Sequence, residues 1–292
     1  MVFKGSGVAL VTPFNENGID LDKLRDLIEW HIEAKTDALI IMGTTGEGAV
    51  LSDEEKTLLL KEAIKIGKGR ICMVANTGTN DTHASIQWSL KAQAMCYDAL
   101  LMVCPYYNKP TQRGLIAHFT TIADAVNLPI ILYNVPGRTS VNLSAEACTQ
   151  LAHHKNIVGV KEASHDLNQI KAIIDNTVDF AVYSGNDDQN LEILKLGGQG
   201  FISVTGNLVP AQVKALSDAF FASDVDLAER LQNELAALND VLFIESNPVP
   251  VKAALNHIGK AVGSCRLPLV DLEAQNLAKL VSVLEASGLC DS

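Results

Sequence analysis

The chain has 292 residues, 48% of them hydrophobic and 20% charged, with a formal net charge of −11. That acidic balance excludes a broad nucleic-acid surface, which needs cations to neutralise phosphates, but it leaves room for a local cationic site for a small anion. The length suits one α/β barrel of about 250 residues with an appendage, or two smaller domains, and no apolar run approaches the ~20 residues of a membrane span.

The opening Met1-Val2-Phe3-Lys4-Gly5-Ser6-Gly7 reads as neither a signal nor a transit peptide. The six cysteines, Cys72, Cys96, Cys104, Cys148, Cys265 and Cys290, form no CxxC pair and no zinc-type cluster with histidine. They read as reduced thiols of a cytoplasmic protein.

Apolar runs alternate with helical patterns along the whole chain. Strands are predicted over 7–11, 38–42, 71–75, 99–103, 130–133, 157–161, 180–183 and 200–204. Helices are predicted over 21–34, 53–66, 81–95, 113–126, 144–152, 167–175, 188–196 and 210–222. Ser52 and Glu55 have capping-box spacing, and Thr111 and Ser144 precede two further helices. Strict alternation predicts a parallel sheet closed into a (β/α)8 TIM barrel over residues 1–224. An open doubly wound sheet is the alternative, but the first strand lacks a GxGxxG turn. More helices, over 227–243, 248–257 and 271–286, make a C-terminal helical extension over 225–292.

In such a barrel, chemistry sits at the C-terminal ends of the strands, and the unusual residues collect there. The sixth strand, Ile157-Val158-Gly159-Val160-Lys161, ends in a lysine. An ammonium there is costly unless paired or neutralised, and a neutral amine attacks carbonyls to form a Schiff base. A lysine snorkelling to the surface is the other reading. Gly43-Thr44-Thr45-Gly46-Glu47 ends the second strand. Its glycines let backbone N–H groups approach a ligand, and its hydroxyls bind a carboxylate or relay a proton, unless it is an ordinary βα turn. Tyr133 ends the strand next to that of Lys161 and is either a proton shuttle or a packed tyrosine. Arg138, in a loop pinned by Pro136, suits a substrate carboxylate or lies idle at the surface. Tyr106-Tyr107 could serve core, interface or site. Asp187-Asp188 reads as a helix N-cap rather than a metal site, with Asp188 opening the helix. His153-His154 reads as a solvated face, and His83, His118 and His257 as surface or satisfied histidines. Trp30 and Trp88 read as packing.

These strand-end motifs resemble the dihydrodipicolinate synthase (4-hydroxy-tetrahydrodipicolinate synthase) family of pyruvate-dependent class I aldolases and lyases, grouped with N-acetylneuraminate lyase. The resemblance runs from Gly5-Ser6-Gly7 through Asn247-Pro248-Val249-Pro250-Val251-Lys252 and beyond. Gly43-x-Thr45-Gly46-Glu47 with Tyr133 and Lys161 carries the superfamily signal. Thr44, Tyr133-Asn134-Val135-Pro136-x-Arg138-Thr139 and Pro105-Tyr106-Tyr107-Asn108 carry the narrower one.

The resemblance implies a lyase joining pyruvate to L-aspartate 4-semialdehyde in diaminopimelate and lysine biosynthesis, with no metal or organic cofactor. It implies that Lys161 forms the imine and that Tyr133, Thr44 and Tyr107 relay protons. Thr44 and Thr45 would hold the pyruvate carboxylate and Arg138 that of the semialdehyde, while Gly185 and Ile202 line the site through backbone atoms. It further implies that Tyr107 serves a neighbouring subunit's site, hence a functional dimer within a homotetramer (a dimer of dimers), with no nucleic-acid or membrane partner. Members inhibited by lysine often present histidines after the second strand and a glutamate after the third. Here those positions are Asp53, Lys56 and Ala84, with Asn80 and Tyr106 retained, so the expectation is weak or absent inhibition by lysine. Competing readings are an aldolase for a sugar acid, a non-catalytic barrel of the same fold and, more weakly, a phosphate-binding barrel.

Overall fold

The computed structural model describes residues 1–289; Cys290 lies outside them. Eight parallel strands close a barrel: β1 (Gly5–Ala9), β2 (Ala38–Ile41), β3 (Cys72–Asn76), β4 (Ala99–Val103), β5 (Ile130–Asn134), β6 (Ile157–Glu162), β7 (Ala181–Ser184) and β8 (Gly200–Ser203). Each is almost wholly buried, because helices cover the outer face of a parallel sheet while side chains fill its interior. The covering helices are α1 (Leu21–Glu33), α2 (Asp53–Gly67), α3 (Thr82–Ala94), α4 (Gln112–Ala125), α5 (Ala145–Leu151), α6 (Leu167–Asp175), α7 (Asn190–Leu196) and α8 (Pro210–Phe221). Three more follow: α9 (Val225–Val241), α10 (Val249–His257) and α11 (Ala274–Ala286). The expected TIM barrel with C-terminal helices is therefore present.

Period-2 alternation divides the core in two. Val74, Leu101, Ile131, Tyr133, Tyr183 and Ile202 belong to the cluster inside the barrel. Leu39, Leu100, Leu132 and Val160 belong to the larger cluster between strands and helices. The caps at Ser52, Thr111 and Ser144 form, and Ser52 with Glu55 makes a complete capping box.

Two details differ from the sequence expectation. The first strand begins at Gly5, two residues early, because Gly5 pairs with Gly200 across the seam. A side chain on Gly200 would run into the Gly5 carbonyl, so backbone proximity, which leaves no trace in apolar periodicity, sets that boundary. The second is the acidic pair. Asp188 is exposed and caps nothing, since a 3-10 turn (Asp187–Gln189) precedes α7. The buried partner is Asp187, whose Oδ2 accepts the N–H groups of Val204 and Thr205 at 2.8 and 3.0 Å, beyond β8.

The histidines hold no cluster. His83, His153 and His257 are exposed, His154 meets Asp124 at 3.1 Å, and buried His118 bonds Thr82 Oγ1 at 2.8 Å. Trp88 is buried and Trp30 half-buried, with Lys260 Nζ 3.8 Å from its ring centroid.

Candidate active site

Tyr133 and Lys161 are register partners on β5 and β6, so both side chains point into the barrel at the same level. Lys161 is 5% exposed, and its Nζ lies 4.3 Å from the centroid of the Tyr133 ring. The next pair in register, Asn134 and Glu162, points the opposite way, into the helix layer. Gly185, just beyond β7, completes the wall: a Cβ there would stand 3.0 Å from Lys161 Cε. The same Cβ would stand 2.8 Å from Ala163 Cβ and 3.0 Å from the Glu162 carbonyl, so a side chain there would crowd the strand end that carries the lysine.

A cavity of about 60 Å³ opens at this point, lined by Thr44, Thr45, Tyr133, Arg138, Lys161 and Gly185 among others. Six of the eight sequence-derived site residues therefore converge. Ile202 is 1% exposed and packs in the inner cluster rather than on the cavity wall. Tyr107 is 90% exposed, at φ +72°, and does not line the cavity. A second cavity of about 450 Å³ shares Gly43, Thr44, Val135, Arg138 and Asn247 with the first and continues to Lys56, Trp88 and Tyr106.

The turn that carries Thr44 and Thr45 is held by the C-terminal helices. Asn247 Nδ2 donates to Thr45 Oγ1 at 2.9 Å, which leaves the threonine proton free to be given to an anion. The carbonyl of Asn247 accepts Arg138 Nη2 at 3.1 Å. One residue thus orients two of the three candidate carboxylate binders, Thr45 and Arg138. Deeper, Lys252 and Glu47 form an ion pair at 2.9 Å, both side chains 1% exposed. Lys252 Nζ also reaches the carbonyls of Thr12 and Ser264, and the other Glu47 oxygen accepts the Arg266 N–H at 2.8 Å. Burial pulls the Lys252 ammonium down, and the Glu47 carboxylate pulls against it.

Asn247, Glu47, Lys252 and Glu162 carry no role in the motif reading. Lys252 had a signal: it sits inside Val249-Pro250-Val251-Lys252-Ala253-Ala254-Leu255, where a cation demands a buried partner. Asn247 had none, because its partners lie 202 and 109 positions away. Among the described residues, no group of three His, Cys, Asp or Glu side chains is arranged to hold a metal ion.

The arrangement is a nearly buried amine beside a phenol, with two hydroxyls and a guanidinium around one small cavity, which is a set suited to imine chemistry on carboxylate-bearing substrates. Comparison with known proteins agrees. The model of the dihydrodipicolinate synthetase family matches residues 2–287. The 4-hydroxy-tetrahydrodipicolinate synthase of Thermoanaerobacter sp. (strain X514) is 51% identical over 99% of this chain and 98% of its own. The crystal structure of dihydrodipicolinate synthase from Aquifex aeolicus superposes with a TM-score of 0.96 at 42% identity, covering 98% of this chain and 99% of that one. The chloride-inhibited dihydrodipicolinate synthase from Acinetobacter baumannii, complexed with pyruvate, also gives 0.96, at 45% identity over 98% and 99%. A family match over nearly the whole chain, joined to a shared barrel and a lysine-centred cavity, means that the chain belongs to the dihydrodipicolinate synthetase family.

Proposed function

We infer that this barrel is a Schiff-base lyase that condenses pyruvate with L-aspartate 4-semialdehyde, the 4-hydroxy-tetrahydrodipicolinate synthase reaction of diaminopimelate and lysine biosynthesis. The observation that carries the reading is Lys161, nearly buried against Tyr133 and lining the same cavity as Thr44, Thr45 and Arg138.

The neutral Lys161 amine attacks C2 of pyruvate, and loss of water gives a protonated imine. That cation is an electron sink, so the pyruvate methyl group gives up a proton and becomes the enamine carbon. The enamine attacks the aldehyde carbon of the semialdehyde, whose oxygen takes a proton and becomes a hydroxyl. The semialdehyde amine then attacks the imine carbon, closes the ring and expels Lys161 unchanged. Thr44 and Thr45 hold the pyruvate carboxylate, Arg138 holds that of the semialdehyde, and Tyr133 with Thr44 carries protons between them. Gly185 contributes backbone to the site, and Ile202 supports it from the inner cluster.

Tyr107 completes the relay from a neighbouring copy of the chain. Its exposure and its absence from the lining of both cavities support that reading, and the working unit is then at least a dimer, within a homotetramer. The C-terminal helices from residue 225 act with the 1–224 barrel as one catalytic unit, and the enzyme works in the cytoplasm without a metal or organic cofactor. Lysine inhibits it weakly or not at all. Lys56, on the wall of the larger cavity, repels an ammonium, and Ala84 offers no carboxylate to pair with one.

Borohydride trapping tests the core of this. With pyruvate and borohydride, reduction of the imine fixes a propionate unit on the lysine. The adduct is expected on the peptide containing Lys161 and absent from Lys161→Ala. No adduct on active, folded protein would mean that Lys161 is not the imine lysine.

A further inference from the structure

Lys161 faces the cavity, so the next residue of β6 faces the helix layer. Glu162 is there, 0% exposed. Its carboxylate is held from three elements. Asn134 Nδ2, at the end of β5, donates to Oε1 at 2.5 Å. Ser164 Oγ, in the loop after β6, donates to Oε2 at 2.6 Å, and Gln169 Nε2, in α6, reaches the same oxygen at 3.3 Å. Three donors converging on two oxygens are matched by an ionised carboxylate, which only accepts.

No cation compensates that charge among the described residues. The titratable groups packed around it are the Cys104 thiol beyond β4, the Cys148 thiol of α5 and the Asp166 carboxylate capping α6. Burial pushes both thiols up, Cys104 to about 12, so neither carries charge near neutrality, and Asp166 opposes a second anion. Lys161 leaves the strand on the other face. Burial accordingly pushes Glu162 up to about 7, against the pull of its three donors.

The same network reaches the loop that follows Arg138. Asn134 Oδ1 accepts the Leu143 N–H at 2.9 Å, and Asn134 Nδ2 also donates to Asn142 Oδ1 at 2.7 Å. Gln169 Nε2 donates to the Leu143 carbonyl at 3.2 Å. One carboxylate therefore sits behind the strand end of Tyr133, behind that of Lys161 and beneath the loop of Arg138.

A buried carboxylate without a cation lowers stability, and a neutral side chain of the same shape would cost less. We propose that Glu162, as the anion, is a positioning residue that fixes the β5 and β6 strand ends, so that Lys161 and Tyr133 stay juxtaposed above it. This rests on Lys161 being the imine lysine. A residue that serves only packing keeps stability and function together, whereas this role separates them.

The sign of the stability effect follows from the raised pKa. Between the ordinary value of 4.5 and about 7, folded Glu162 holds a proton that the unfolded chain releases. Its contribution is full below that window and is lost as pH rises through it. Glu162→Gln keeps the shape and removes the charge, since the Ser164 hydroxyl can turn to accept from the new amide and Gln169 Nε2 keeps Asn142 Oδ1 and the Leu143 carbonyl, both at 3.2 Å, as acceptors. That variant should melt higher than wild type above neutrality, with the difference closing as pH falls to 4.5.

The experiment measures the initial rate of borohydride trapping of pyruvate and the melting temperature against pH, for wild type, Glu162→Gln and Ser164→Ala. Wild-type trapping should fall as pH drops through about 7. Glu162→Gln should trap about tenfold more slowly at alkaline pH, with the pyruvate concentration for half-maximal rate little changed, and should lack that break. Ser164→Ala removes one donor to the anion and should move the break to higher pH, which keeps the test alive if Glu162→Gln does not fold. Wild-type trapping rates and an unmoved break in Glu162→Gln would overturn the proposal, as would a lower melting temperature for it above neutrality. If wild type itself yields no adduct on the Lys161 peptide, the imine reading fails and this one with it. A normal wild-type adduct beside an unaffected Glu162→Gln removes this inference alone.

Discussion

Arg138 is exposed, and the one side-chain hydrogen bond it makes among the described residues goes to the Asn247 carbonyl, so its guanidinium still has donors to give. Replacing it by alanine should raise the Michaelis constant for aspartate semialdehyde about 10- to 100-fold, the worth of a charged hydrogen bond, and leave borohydride trapping of pyruvate intact. Steady-state kinetics with each substrate varied in turn reads that split, and an equal loss for both substrates would place Arg138 elsewhere in the reaction. Residues of this kind were legible because they break local rules. Lys161 puts a cation at the end of an apolar strand, and Arg138 puts one in a proline-led stretch, expected as a loop and formed as the single helical turn Pro136–Thr139. Glu162 broke no such rule, because a carboxylate following a strand-end lysine stands out only when strand alternation turns the two to opposite faces.

At the scale of elements, the strand-2 turn depends on a clamp from α10. Lys252 joins Glu47 to the carbonyls of Thr12 and Ser264, and Asn247, just before the helix, bonds Thr45. Lys252→Met leaves the Glu47 carboxylate buried with no cation paired to it, only the Arg266 N–H and the Cys265 thiol beside it. Loss of one partner of such a pair costs about 3–5 kcal/mol, and the turn carrying Thr44 and Thr45 should loosen with it. Urea unfolding should show the lost stability, and trapping should need more pyruvate. The double variant Lys252→Met with Glu47→Leu should recover much of the stability but not the pyruvate affinity. Strand and helix order was legible throughout because each element carries its own period. The clamp was not, because apart from Ser264 its partners are 202 to 240 positions apart and no local pattern records such a pairing.

For the whole molecule, cavity shape and charge govern what the enzyme answers to. The larger cavity carries Lys56 and Arg138 on its wall, and Glu47, its acidic lining residue, is already paired with Lys252. A cationic amino acid finds no unpaired carboxylate on that wall, so free lysine should slow a coupled assay weakly or not at all; half-inhibition at sub-millimolar lysine would contradict that reading. Barrel closure was legible from eight alternations, whereas the seam that completes it, Gly5 against Gly200, was set by a contact that sequence periodicity does not encode.

The carboxylate of Asp187 gives this barrel a different relation to its surroundings. In a phosphate-binding barrel, the N–H groups beyond the last strands wait for an anion from solution. Here Val204 and Thr205 already hold one, and it is tethered to the chain. A tethered group competes at an effective concentration that a free metabolite does not match. The enzyme therefore carries its own occupant for that seat. Inorganic phosphate and sugar phosphates, abundant in any cell, meet a place that is never vacant, and selectivity for unphosphorylated keto acids begins with a residue that touches neither substrate.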